Sequence, residues 1–366
     1  MAGPPISFAR GAPAPELIPA VELADCARAA AERDGASLFA YGSGGGYEPL
    51  REWVAERHGV DPQRVVLTVG GLFGFVLFAA EALARRPGRV LVEGPTYDRP
   101  LLVLAREGVE VVSLEMDDEG LDPDALENEL RRSREEASFL YTIPTFQNPS
   151  GRTLSPERRR RIADIANAHR LPVLEDDPYG LVRYEGESAP ALHELIDADL
   201  VTYTSSFSKT VAPGLRTGYF VLPDGEAAAF EKRAVSMYIC PPFLTQATIA
   251  EFVARGRFEP NLEHVCAELR ARRDAMLGAL ERELPAVASW SRPRGGYFIW
   301  LDLADGASAA ELATRAAEIE VAVVRGEDFF PPGSGRGTSS VRLAFSYEPA
   351  ERIAEGVSRL AGLLSA

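Results

Sequence analysis

Ser205-Ser206-Phe207-Ser208-Lys209-Thr210 contains one of only two lysines in a chain whose 39 basic residues are otherwise arginine. An arginine stays protonated, whereas a lysine amine can lose its proton and attack a carbonyl to form a Schiff base. The second lysine, in Phe230-Glu231-Lys232-Arg233, has the pattern of a solvated helix face. Lys209 instead follows the apolar run Leu200–Tyr203 and lies among small hydroxylated residues. Other polar clusters follow apolar runs in the same way. Gly70-Gly71 comes after Val65–Val69, Gly94-Pro95-Thr96-Tyr97 after Arg89–Val92, and Gln147-Asn148-Pro149 after Phe139–Ile143. Asp176-Asp177-Pro178-Tyr179 follows Pro172–Leu174. If those runs are strands of an open α/β sheet, their carboxyl ends deliver all five clusters to one crevice. Gly70-Gly71 opens a helical pattern whose free N–H groups suit a phosphate, although a glycine pair also serves close strand–helix packing. Near the C-terminus, Val341, Leu343 and Phe345 share one face of a strand and Arg342 points the other way. An arginine there needs a partner, either a structural acid or a substrate carboxylate held by a bidentate pair.

Ser206-x-x-Lys209 followed by Gly214-Leu215-Arg216 resembles the cofactor-lysine segment of the fold-type-I pyridoxal-phosphate (PLP) aminotransferases. Within class I/II it is most similar to the branch of the 2-aminoadipate and kynurenine aminotransferases. The resemblance runs from Ile6 onward, with the motifs in order. It implies that Lys209 carries PLP through a Schiff base and that Arg216 and Ser206 pair with the phosphate, Ser208 also being on the cofactor. Tyr97 matches the aromatic that stacks on the pyridine ring, and joins Lys209 and Asp176 in the implied catalytic set. Asp176, in the spacing Asp176-x-x-Tyr179, would keep the pyridine nitrogen protonated so that the ring accepts electrons. Tyr179 and Asn148 would hydrogen-bond the phenolic oxygen, and Asn148 would also touch the substrate carboxylate beside Arg342. Tyr41, in Phe39-Ala40-Tyr41-Gly42-Ser43-Gly44, would reach the phosphate of a neighbouring subunit, which makes a homodimer the expected unit. Gly11 and Pro13 would shape the floor of the substrate mouth. The chain departs from the pattern at Gly71 and Leu72, where relatives commonly have serine and glutamine, so only backbone donors are expected there.

The elements that must position these groups follow from periodicity. Candidate strands are Val65–Val69, Arg89–Val92, Val109–Leu114, Phe139–Ile143, Pro172–Leu174, Leu200–Tyr203 and Tyr219–Leu222. Most are continuously apolar, as when both faces are covered. Helical patterns such as Leu72–Arg86 and Pro156–His169 separate them, the latter opening on Ser155 as N-cap. The expected architecture is α/β: a mostly parallel seven-stranded sheet flanked by helices, plus a smaller α/β domain. Residues 1–36 would form an arm and part of the small domain, 37–261 the large PLP domain, and 262–366 a linking helix and the rest of the small domain. In the latter, 295–300, Val321–Val324 and Ser339–Phe345 are its strand-like runs. Ile6–Pro19 reads as irregular.

At 366 residues and a net charge of −15, the chain has material for two domains and is a poor partner for nucleic acid or an anionic membrane. Cys26, Cys240 and Cys266 have no paired spacing and read as buried free thiols. His58, His169, His193 and His264 have no metal spacing and read as surface or interface residues. No apolar run is long enough to span a bilayer and the first residues do not resemble a signal peptide, so a cytoplasmic protein is expected. The expected function is transfer of an amino group between an α-amino acid and a 2-oxo acid, with 2-oxoglutarate as the expected acceptor. Tyr297, Trp300 and the arm would fit an aromatic, long aliphatic or 2-aminoadipate-like side chain. Arg28, Arg325 or another mobile arginine would meet an acidic one. The alternatives are β-elimination or decarboxylation on the same fold, or a non-catalytic PLP effector domain, disfavoured because no winged helix precedes the arm.

Overall fold

The computed structural model describes residues 5–133, 136–284, 287–304 and 307–364. Seven strands form the central sheet: β1 (Val65–Thr68), β2 (Arg89–Glu93), β3 (Val111–Leu114), β4 (Ala137–Thr142), β5 (Val173–Asp176), β6 (Val201–Ser206) and β7 (Gly218–Val221). Their spatial order is β1-β7-β6-β5-β4-β2-β3. All run parallel except β7, which is antiparallel to β1 and β6. Every residue of β1, β2, β4 and β7 is buried, which is why these strands read as apolar without alternation.

Alternate residues serve opposite faces. Val65, Leu67, Tyr219 and Val221 pack with the helices Ala20–Asp34, Glu48–His58 and Phe243–Ala254. Val66 and Phe220 pack with Gly71–Arg85 and Ala227–Tyr238 on the other side. A third apolar cluster joins Leu126 and Ile162, on the helices Pro123–Arg132 and Pro156–His169, to β4 and β5. Pro156–His169 begins with the Ser155 hydroxyl accepting the Arg158 N–H and Pro156 at the first position.

A second sheet is antiparallel, with β8 (Ala288–Trp290), β9 (Phe298–Leu303), β10 (Val324–Arg325) and β11 (Ser340–Ala344) in the order β8-β9-β11-β10. Its apolar face packs on the helices Phe258–Glu283 and Ala350–Leu364 through residues such as Met276, Leu343 and Val357.

Several expectations change. Ile6–Ser7 is a strand, paired in parallel with Val321–Ala322. The run Val321–Val324 is therefore divided, because Val324 instead pairs with Arg342 in the second sheet. A hairpin, Met116–Asp117 with Gly120–Leu121, and β8 carry no signal in the sequence because strands this short hold no period. Cys240 and Cys266 are partly exposed, so only Cys26 is a buried thiol. His58 and His193 are packed edge to face at 5.4 Å, both lie against Tyr203, and both are half-buried. Pro13 is buried and does not line the crevice described below. Among the described residues, no helix is long and apolar enough to cross a membrane, and no group of His, Cys, Asp and Glu could hold a metal ion.

Candidate active site

The carboxyl ends of β1, β2, β4, β5 and β6 open on one crevice of about 1130 Å³. From β1 come Gly71 and Leu72, from β2 Tyr97, and from β4 Asn148; β5 contributes Asp176 and Tyr179, and β6 contributes Ser206, Ser208 and Lys209. Gly11 and Arg342 close it from the arm and the second sheet.

The antiparallel strand explains how Arg216 joins them. Gly218 is in register with both Thr68 and Ser206, so the residues just before β7 emerge at the edge where β1 and β6 end. The approach is close. A Cβ on Gly218 would lie 2.7 Å from the Gly71 nitrogen and 2.8 Å from the Gly70 carbonyl carbon. Gly70 has φ +80°, and a side chain there would collide with the Arg216 guanidinium. Arg216 itself has φ 48°. The N-terminus of Gly71–Arg85 has no side-chain cap, and beside Gly71 there is nothing within 4 Å of where a Cβ would stand. Free N–H groups, a guanidinium and open space together make an anion site.

Lys209 donates its Nζ to the Gly11 carbonyl at 2.7 Å, and its own carbonyl accepts the Tyr297 hydroxyl at 2.9 Å. Burial, aided by repulsion from Arg342 and Arg216, lowers its pKa to about 8, with Asp176 opposing. The amine is thus available as a nucleophile or base near neutral pH. Burial raises Asp176 to about 7, despite the Tyr141 hydroxyl donating to its Oδ2 at 2.7 Å; Asp177 and Glu93 add to the rise. Such a carboxylate is matched to share a proton with a basic ring nitrogen. Tyr97 is pushed up to about 12, chiefly by burial, and stays neutral. Tyr179 is packed against Tyr297 and Phe298 at centroid distances of 5.4 and 5.7 Å.

Arg342 is 8% exposed. It donates to Asn148 Oδ1 at 3.0 Å and the Ala9 carbonyl at 2.8 Å, and lies 4.3 Å over the Phe298 ring. Its Nε is buried with no hydrogen-bond partner. Among the described residues no acid pairs with it, so the guanidinium keeps capacity for a carboxylate. Tyr41 is placed elsewhere: it is 82% exposed and away from this chain's crevice. Arg28 pairs with Glu32 outside the crevice, and Arg325 with Asp328; the lining arginines besides Arg216 and Arg342 are Arg10, Arg99 and Arg336.

The supports of these groups were missed from sequence. Glu93, 1% exposed, accepts from Thr142, the Ile143 N–H and Gln147. On the other side, the buried Arg159 donates to the Pro144 carbonyl and Thr145 hydroxyl. Together they fix the turn that presents Asn148. A charged residue ending an apolar strand, as Glu93 does, was the available signal; Tyr141, inside an apolar run, gave none.

The sequence matches the model of the family described as "Aminotransferase class I and II" over residues 15–360. The chain belongs to that family. It is 37% identical to a 2-aminoadipate transaminase of Thermus thermophilus, over 97% of this chain and 89% of the relative. To an aromatic-amino-acid aminotransferase of Thermococcus litoralis it is 33% identical, over 97% and 87%. The crystal structure of the Thermus thermophilus alpha-aminoadipate aminotransferase complexed with N-(5'-phosphopyridoxyl)-L-leucine superposes with a TM-score of 0.92, at 36% identity, covering 99% of this chain and 92% of that one. The protein is thus a PLP-dependent aminotransferase of fold type I. The donor set fits this cofactor: an amine of lowered pKa, an anion site at a helix N-terminus, and a buried carboxylate for the ring nitrogen.

Proposed function

We propose that this aminotransferase moves an amino group between an α-amino acid with an aromatic, long aliphatic or 2-aminoadipate-like side chain and a 2-oxo acid, with glutamate and 2-oxoglutarate as one pair. It would act as a cytoplasmic homodimer, with residues 37–261 as the cofactor domain and 1–36 with 262–366 as the small one. The observation that carries the reading is the placement of Lys209, Asp176 and the Arg342–Asn148 pair on one crevice. PLP, when bound, supplies the carbonyl that takes the amino group and a ring that accepts the electrons of the broken Cα–H bond.

The chain's own residues do the rest. Gly70, Gly71 and Arg216 hold the phosphate, joined by Leu72 and the Ser206 and Ser208 side of the crevice. Tyr97 would cover one face of the ring, and Tyr179 and Asn148 would hydrogen-bond its phenolic oxygen. Asp176 keeps the ring nitrogen protonated. Lys209 first anchors the cofactor and then, as a free amine, moves the proton at the substrate Cα. Arg342 orients the substrate by its α-carboxylate, with Gly11 forming the floor. The exposed Tyr41, two residues from the also exposed Phe39, supports a partner-facing role for that loop.

The relatives' names and the leucine adduct of the solved neighbour support the range of side chains. The test is a half-reaction screen, mixing the holoenzyme with single amino acids and following the cofactor's absorbance. Conversion by glutamate and by a few aromatic or long aliphatic amino acids is expected. Pyruvate with ammonia, or carbon dioxide, would assign another reaction class, and silence from every amino acid would leave a non-catalytic effector role.

A further inference from the structure

The second sheet gives its two faces different tasks. Ile299 and Leu301 of β9 pack with Val341 and Leu343 of β11 in the apolar cluster on one face. Phe298 and Trp300 alternate with them, and Trp300 is in register with Arg342, so these three side chains share the opposite face. Arg342 thus has aromatic neighbours on its own sheet. The 3-10 turn Gly326–Phe329 brings one more ring. Phe329 is fully buried and packs edge to face on Trp300 at 5.9 Å. The Arg342 guanidinium carbon lies 4.3 Å over the Phe298 ring and 4.9 Å over the Phe329 ring.

Both rings are fixed from outside the sheet. A Cβ on Gly11 would stand 2.6 Å from the Phe298 ring, so the arm presses on that ring as closely as only glycine allows. Phe329 is tied through its carbonyl, which accepts the Thr96 N–H at 2.9 Å, next to Tyr97. Further along, Arg336 donates to Glu115 and to the Ser113 and Gly94 carbonyls, which secures the chain that follows. The choice of rings over an acid matters at a carboxylate site. An acid would hold Arg342 by its in-plane N–H groups, the same edge that a bidentate substrate carboxylate needs. An aromatic face attracts a desolvated cation and leaves that edge open.

We propose that Phe329 is a positioning residue for the substrate carboxylate, acting through Arg342. With Phe298 it covers the guanidinium, steadies the cation before substrate binds, and keeps the N–H edge free for the carboxylate. The inference rests on the reading of Arg342 as the α-carboxylate site. Its effect is the same for every amino acid, because all of them carry that carboxylate. Phe329 also lines the crevice, so direct contact with the substrate side chain is the competing role.

The experiment compares the Phe329→Leu, Phe329→Tyr and Arg342→Met holoenzymes, and the Phe329→Leu/Arg342→Met double variant, with the parent in half-reactions with L-glutamate and L-phenylalanine. Loss of one cation–π contact should raise the half-saturating concentration roughly 3- to 30-fold for both amino acids in Phe329→Leu, with the limiting rate changed less than about twofold. Phe329→Tyr keeps a ring over the cation and should stay within about threefold of the parent. In the Arg342→Met background, Phe329→Leu should add less than about twofold, since the contact it removes is already gone. Phe329→Met, closer in volume to the parent, gives the same reading if the Leu variant does not fold. An undiminished loss in the Arg342→Met background, or a loss confined to one amino acid, would assign Phe329 to the substrate side chain and overturn the proposal. A slower limiting rate at unchanged half-saturation would overturn it as well. If Arg342→Met weakens both amino acids and Phe329→Leu neither, the carboxylate site stands and the role of Phe329 falls. If neither variant changes half-saturation, both fall.

Discussion

Around Asp176 and Asn148, each polar group is held by another buried group. Tyr141 donates to Asp176, while Glu93 and Arg159 grip the turn that carries Asn148. Elsewhere the crevice is lined by residues 330–336, in which Gly333 and Gly335 have positive φ. The first region stands on strand ends of a sheet buried on both faces; the second is a loop. A hydrogen-bonded network in a low-dielectric interior is costly to disturb, because each lost partner leaves another group unsatisfied. A loop-borne wall can change at little cost to the fold. The inner, strand-borne wall is therefore the costlier to alter, and the outer, loop-borne wall is the freer to vary.

The largest effect that would test this division is at Lys209. Lys209→Ala should lower transamination at least about 10²–10⁴-fold for every substrate, whichever side chain the outer wall admits. Borohydride reduction of the parent should place the pyridoxyl group on Lys209; finding it on Lys232 would break the assignment of the inner wall.

Arg342→Ala is expected next in size. Removing the charge-assisted contact to the α-carboxylate should weaken all amino acids alike by roughly 10- to 150-fold, with the cofactor's absorbance preserved. A loss that is uniform across side chains would sharpen the contrast between the two walls. Unchanged constants would mean that the carboxylate binds elsewhere.

The smallest effect is a gain. A side chain at Gly71 meets nothing within 4 Å, so Gly71→Ser fits without displacement and adds a hydroxyl beside the anion site. One further hydrogen bond should tighten PLP retention by roughly 0.5–1.5 kcal/mol, read as slower loss of cofactor on dialysis. Faster loss would show that the glycine is needed for the shape of the turn.

The same contrast governs what the sequence made legible. The seven central strands stood out because residues such as Val66 and Leu91 are buried on both faces, leaving continuous apolar runs. Lys209 stood out because a lysine is rare in this chain, and Arg342 because it interrupts an apolar strand. Ile6–Ser7 did not, since two residues carry no period and their pairing with Val321–Ala322 is a long-range event. The reversal of β7 was hidden as well: a buried strand reads alike in either direction. Glu93 and Tyr141 act through partners distant in sequence, so their contribution appears only when those partners meet.

The contact of Gly218 with Gly70 and Gly71 has a thermodynamic consequence. The proposed phosphate cup joins two segments that are far apart along the chain and meet only when β7 has docked between β1 and β6. An unfolded chain has no such cup. PLP thus binds the folded form selectively, and mass action turns its concentration into stability, about 2.7 kcal/mol at a hundredfold excess over its dissociation constant. The melting temperature of this enzyme is therefore a measure of cofactor supply as much as of the polypeptide.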